Sequence, residues 1–182
     1  MGAKSHRWKF TEFYSDSSRT IQFIEMVESE GVDGETQTAT VPVTSNANEV
    51  ILPNDLVGST ANKWMLLATQ SFAELPGAVT PDFILPDRFF RVNGDVIRYN
   101  TVLDVVRLES VPTDGIHSVD REGNAAVNTP TNFAGEVGQI DLSPAAPTAS
   151  NWLIPLVGVL FAVSVARGLR TRPALRNPAD SG

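Results

Sequence analysis

The chain has 182 residues with 14 Lys+Arg, 21 Asp+Glu, two His and no Cys. That length gives one domain with a core of its own plus a short appendage, and the missing thiols exclude disulfides, thiolate metal sites and a cysteine nucleophile without fixing a compartment. The acidity argues against nucleic acid, because an anionic domain repels phosphate backbones.

Residues 1–7 form an N-terminal tail. The first ten residues are basic but have no apolar run behind them, so they do not read as a signal peptide. Gly2 suggests myristoylation, yet His6 stands where that motif wants a hydroxyl. Residues 8–14 alternate apolar and polar side chains and read as a half-buried strand. Residues 20–28, β-branched and aromatic, read as the strongest strand, joined to the first in a hairpin by the turn cluster 15–19.

Residues 36–43 read as an edge strand, because Pro42 has no N–H to give a central ladder. Residues 49–52 and 64–69 read as two more, the second apolar enough for burial on both faces. Pro76, Gly77, Pro81 and Pro86 break 70–86 into irregular chain with at most one helical turn. Residues 89–92, 95–99 and 102–109 complete about eight strands, with Asn93-Gly94 as a type I′ turn. Residues 112–141, rich in Gly, Asn, Thr and Pro, read as an ordered loop wrapping the domain. Short strands, frequent turns and no helical pattern before residue 150 give an all-β antiparallel sandwich over residues 8–142.

Residues 143–151 are a Pro/Ala/Ser linker. Residues 152–166 carry no charge and one weakly polar side chain, Ser164. At 1.5 Å per residue this stretch covers ~22 Å of a hydrocarbon core of ~30 Å. Arg167 and Arg170 can snorkel to the headgroups and extend the span, giving a transmembrane helix over 152–169. Trp152 anchors the other end, Pro155 falls in the tolerant first turn, and Leu153, Ile154, Leu156, Val157, Leu160, Phe161 and Val163 face lipid. Gly158, Ala162 and Ala166 form a small-residue stripe. A stretch this short is also permitted as a buried core helix; the lack of a polar face and the arginines directly after it favour the membrane.

The charge is split to match. Through Asn151 there are 10 Lys+Arg against 20 Asp+Glu, and from Trp152 onward 4 Arg against Asp180. The positive-inside rule keeps the tail, residues 170–182, in the cytoplasm and places the domain outside. A domain outside needs an export signal, so a start upstream of Met1 is expected; the alternative is a tail-anchored protein whose domain stays in the cytosol.

Taken together the segments resemble a lamin-tail domain, an immunoglobulin-type sandwich of lamins and of bacterial surface proteins. Phe10-Thr-Glu-Phe13 and Phe23-Ile-Glu-Met26 are similar to its two opening strands, and Ser118-Val-Asp-Arg121 and Thr129-Pro-Thr-Asn-Phe-Ala-Gly135 to its closing steps. Thr11 replaces the usual Asn, and the Leu-x-Gly-Trp step is absent. The resemblance implies an adhesion, binding or accessory module and names no catalytic residue. The linker, apolar stretch and arginines also resemble a C-terminal sorting signal, although Leu52-Pro-Asn-Asp and Leu85-Pro-Asp-Arg lack the residues such a signal needs.

Chemistry is sparse. His6 and His117 are too few for a zinc site without carboxylates, and His117 beside Asp114 and Asp120 reads as a solvated loop histidine. Glu12 and Glu25 fall on neighbouring strands and form the one candidate carboxylate pair for hydrolysis; the plainer reading has both in solvent or paired with Arg19 or Arg121. Gly31–Glu35, Asp82 and Asp87 offer oxygens for Ca²⁺ but not at a known spacing. No nucleophile elbow or phosphate-cradling loop exists. Phe89-Phe90 flanked by Arg88 and Arg91 is a candidate interaction patch, with core filling as the plainer role of the rings.

The sequence therefore implies a single-pass, membrane-anchored β-sandwich at a bacterial envelope. Its expected partners are the lipid bilayer and an envelope protein or glycan. No catalysis, cofactor or metal is expected.

Overall fold

A computed structural model describes residues 5–143. Ten strands form two stacked sheets. The larger sheet contains β1 (Trp8–Ser15), β2 (Gln22–Glu28), β5 (Trp64–Thr69), β6 (Phe83–Leu85), β9 (His117–Asp120) and β10 (Ala125–Val127). Its order is β10-β9-β1-β2-β5-β6. The smaller contains β3 (Pro42–Thr44), β4 (Glu49–Ile51), β7 (Asn93–Tyr99) and β8 (Asp104–Ser110), ordered β4-β3-β7-β8. Neighbours pair antiparallel except β5 and β6, which run parallel. The fold is an all-β, mostly antiparallel sandwich.

The main core lies between the sheets. From the larger come Trp8, Phe10, Phe13, Ile24, Met26, Met65 and Leu67, from the smaller Val43, Ile97, Tyr99, Val106 and Leu108, all buried. Strict alternation along a strand would put Phe10 and Phe13 on opposite faces. The β1–β2 register slips between Phe10 and Glu12, so Thr11 is an extra residue and both rings face inward. The slip leaves Glu12 and Tyr14 on the outer face of the larger sheet.

Much of that outer face is covered rather than solvated. A second cluster covers it, built from Tyr14, Phe23, Leu66, Ala68, Phe72, Val79 and Ile140. The Tyr14 and Phe23 rings stack with centroids 5.3 Å apart. Phe72 comes from the single helical turn α1 (Gln70–Ala73), whose first turn is capped by Thr69, accepting from the Phe72 N–H. Strand β5 is thus buried on both faces, as its sequence implies.

Several expectations fail locally, each for a physical reason. Residues 89–92 form no strand. Gln22 replaces the strand partner, its side chain donating to the Phe90 carbonyl and accepting from the Phe90 N–H. Ser45 and Asn48 donate to the Phe89 carbonyl. Asn93-Gly94 does not turn the chain; both lie within β7, and the reversal comes at 100–103, where Asn100 (φ 45°) and Thr101 (φ 69°) take the left-handed conformation. The strand at 36–43 shrinks to Pro42–Thr44 and is internal, paired to β4 and β7; Pro42 is tolerated because it is the first residue. The wrapping segment 112–141 contains β9 and β10.

Trp152, Leu153, Ile154, Leu156, Val157, Leu160, Phe161, Val163, Arg167 and Arg170 lie outside the described residues. Among the described residues no helix is long and apolar enough to cross a membrane.

Candidate functional site

Beyond β10 the chain turns back over the outer face of the larger sheet. Pro130 holds Thr129 extended, and alternate N–H groups of an extended chain point the same way. Three successive such groups each meet a carboxylate. The Thr129 N–H donates to Glu12 Oε1 at 2.9 Å, that of Thr131 to Glu25 Oε2 at 2.8 Å, and that of Phe133 to Asp82 Oδ2 at 2.9 Å. The carboxylates stand on β1, on β2 and just before β6, so the strap crosses the strands. Asp82 also accepts from the Leu66 N–H of β5 at 2.8 Å.

Glu12 and Glu25 are direct cross-strand partners. Ser118 of β9 donates its hydroxyl to Glu12 Oε1 at 2.5 Å, the Thr129 hydroxyl reaches Oε2 at 3.2 Å, and the Thr11 hydroxyl of the bulge reaches Glu25 Oε1 at 2.8 Å. All four carboxylate oxygens therefore accept a hydrogen bond. Both residues are buried, Glu12 at 8% and Glu25 at 4% exposure, which rules out their being solvated side chains. Neither is paired with Arg19 or Arg121. Arg121 instead joins Asp104 and the Phe10 carbonyl.

Burial pushes the Glu25 carboxyl up to about 7; the Glu12 charge adds to the rise, and the bonds from Thr11 and Thr131 oppose it. Burial likewise raises Asp82, against the bonds from Leu66 and Phe133, with the Glu136 charge adding to the rise. Above the pair opens a cavity of about 220 Å³, lined by Thr11, Glu12, Glu25, Ser118, Asp120, Asn124 and their neighbours. Its polar walls are hydroxyl, amide and acidic.

The other candidate residues are dispersed. Phe89 and Phe90 are in the core at 0% and 1% exposure, whereas Arg88 and Arg91 point to solvent. The candidate aromatic–arginine patch therefore presents no exposed ring. The rings serve the sandwich, the role their apolar area favours. His117 opens β9 and meets Asp114 at 2.6 Å on the surface; its own N–H and that of Ile116 are the main reasons the Asp114 carboxyl falls to about 2. Of the Ca²⁺ candidates, Asp33 accepts from the Gly34 and Thr60 N–H groups, and Asp87 is exposed elsewhere. Among the described residues no three His, Cys, Asp or Glu side chains are grouped to hold a metal ion.

The sequence marks residues 129–135 only through the family resemblance and does not single them out as partners of the buried carboxylates. The usable signal was Thr-Pro-Thr at 129–131, a tripeptide whose first residue is held extended by the proline and whose hydroxyls fall on alternate positions. No family model, no curated protein and no solved structure matches the chain.

Proposed function

We propose that this protein is a non-catalytic binding or structural module, a single-pass β-sandwich anchored at a cell envelope through residues 152–169. The observation that carries the non-catalytic part is the engagement of all four oxygens of Glu12 and Glu25 by Thr11, Ser118, Thr129 and Thr131. A general acid or nucleophile must direct a free proton or lone pair at substrate, and here every oxygen of the pair is already engaged by the strap, by the β1 bulge or by β9. The cavity, at about 220 Å³, is also below the 300–1,000 Å³ common for small-molecule sites.

The anchor and topology rest on the apolar stretch and the arginines after it. The lamin-tail reading draws support from position. Phe10–Phe13 lies beside Phe23–Met26, Ser118–Arg121 flanks the first, and the Thr129–Gly135 segment crosses both. The four stretches that carry the resemblance meet at one place.

A hydrolase or accessory reading keeps one supporting observation, the raised Glu25 carboxyl at a surface opening. Protease accessibility in intact cells tests the topology: digestion from outside supports the envelope module, and protection until lysis supports a cytosolic tail-anchored one. Release of the domain without its apolar stretch would mean a sorting signal. Turnover of a glycan substrate that disappears in both Glu12→Gln and Glu25→Gln would replace the module by the hydrolase.

A further inference from the structure

We propose that residues 129–139 are a proton-linked clasp on the larger sheet, seated while Glu25 holds a proton and loosened when Glu12 and Glu25 are both charged beneath it.

The segment is built to move as one body. Its neck is closed by Asn128, which accepts from the Ile140 N–H at 2.7 Å and donates to the Ile140 carbonyl at 2.7 Å and to the Ile116 carbonyl at 2.5 Å. Within it, Thr131 bridges Val137, the Asn132 N–H meets the Glu136 carbonyl at 3.1 Å, and the Gly138 N–H meets the Pro130 carbonyl at 3.0 Å. This is an Ω-loop, with close ends and internal packing. No strand of either sheet lies within it. Lifting it breaks the bonds to Glu12, Glu25 and Asp82, one from Asn132 to the Thr80 carbonyl, and the contact of Phe133 with Trp8. It leaves the neck and both sheets standing.

The groups around Glu25 decide the sign. From β1 it faces the Glu12 carboxylate and the Thr11 hydroxyl; across the cavity β9 presents Asp120 and Ser118. Strand β5 places Leu66 opposite it, and the clasp adds Thr129 and Thr131, with no cation. Among the described residues neither Glu12 nor Glu25 takes part in an ion pair. A second negative charge here meets like charge in a desolvated place and is disfavoured. When the clasp lifts, water reaches Glu25 and its affinity for the proton returns to that of an ordinary carboxyl. Closing thus takes up a proton and opening releases it, so rising pH favours opening. The burial-raised Glu25, at about 7, agrees with that sense. Asp82, raised by burial and faced by Glu136 from the clasp itself, acts in the same direction.

Hydrogen exchange on the full chain in mild detergent, corrected for the intrinsic pH dependence of amide exchange, tests this. Amides 129–139 should be less protected than those of β2 and β5 at every pH. Their protection should fall on the order of tenfold between pH 5.5 and pH 8, and Glu25→Gln should flatten that fall. Clasp protection that is constant with pH in the wild type, or equal to that of the sheet, would overturn the proposal, whether or not the variant folds. An undiminished fall in a folded Glu25→Gln protein would overturn it as well.

Discussion

Glu12 and Glu25 face each other across the β1–β2 ladder with both carboxyl groups buried, and the strap amides that bond them arrive from 117 and 106 positions away. Two like charges in register oppose the pairing of their strands. The fold answers with hydrogen bonds to every oxygen and with an upward shift at Glu25.

Stability should fall as pH rises through the range where Glu25 ionises. Its folded-state carboxyl lies near 7 against an ordinary 4.5, so its contribution is fully present below 4.5 and lost as pH passes about 7. The shift corresponds to on the order of 3 kcal/mol. Asp114, lowered to about 2 chiefly by the His117 N–H, has the opposite sign but acts only in the acid range. Glu25→Gln can still accept from Thr131 and can donate to Thr11. Urea unfolding should find it equal to or more stable than wild type at pH 8, with a flatter profile between pH 5 and 8. A parallel pair of profiles would refute the assignment.

Glu12 tolerates less. Glu12→Ala strands the Thr129 N–H and leaves the Ser118 hydroxyl only the Ala126 carbonyl at 3.5 Å, where both now donate to Oε1. An orphaned buried donor costs about 1–3 kcal/mol, so a loss of roughly 2–4 kcal/mol is expected in chemical denaturation, with Glu12→Gln recovering part of it.

Asn128→Asp tests the neck of the strap. The side-chain nitrogen now donates to the carbonyls of Ile116 and Ile140; a carboxylate would face both with acceptors only. A destabilisation of about 2–4 kcal/mol is expected, with early proteolytic cleavage after residue 128.

Gly115→Ala tests how the end of the domain is held. Gly115 sits at φ 88°, where a side chain is strained, and an added Cβ would lie 2.8 Å from the Leu142 backbone carbon. The same glycine accepts from the Leu142 N–H and from the Tyr14 hydroxyl. A loss of about 1–3 kcal/mol is expected, and the NMR resonances of the Tyr14 ring should report the displaced segment.

Much of the sandwich was legible because its inner strands are long and patterned: 8–14, 20–28 and 64–69 all form strands close to those bounds. Failures cluster where side chains stand in for ladder partners. Phe89 and Phe90 have strand composition, but Gln22, sixty-eight positions earlier than Phe90, satisfies the Phe90 backbone, and Ser45 and Asn48 take the Phe89 carbonyl. Asn93-Gly94 has the better turn chemistry, yet the length of β8 sets the reversal at Asn100-Thr101. Strands β9 and β10, four and three residues long in a Gly/Asn/Thr/Pro-rich stretch, hold too little pattern to be seen, although the equally short β4 was. Glu12 and Glu25 could be picked out as neighbours, but their burial could not, because it depends on a strap more than a hundred positions away.

That separation bears on the order in which the strap's contacts form and are lost. Contacts closing such long loops repay their entropy late, after the hairpin of β1 and β2 has formed. Contacts of this kind are expected to form after the folding transition state, so weakening them should speed their loss more than it slows their formation. Removing the contacts of Thr129 and Thr131 is therefore expected to shorten the time the strap stays seated more than it slows its seating.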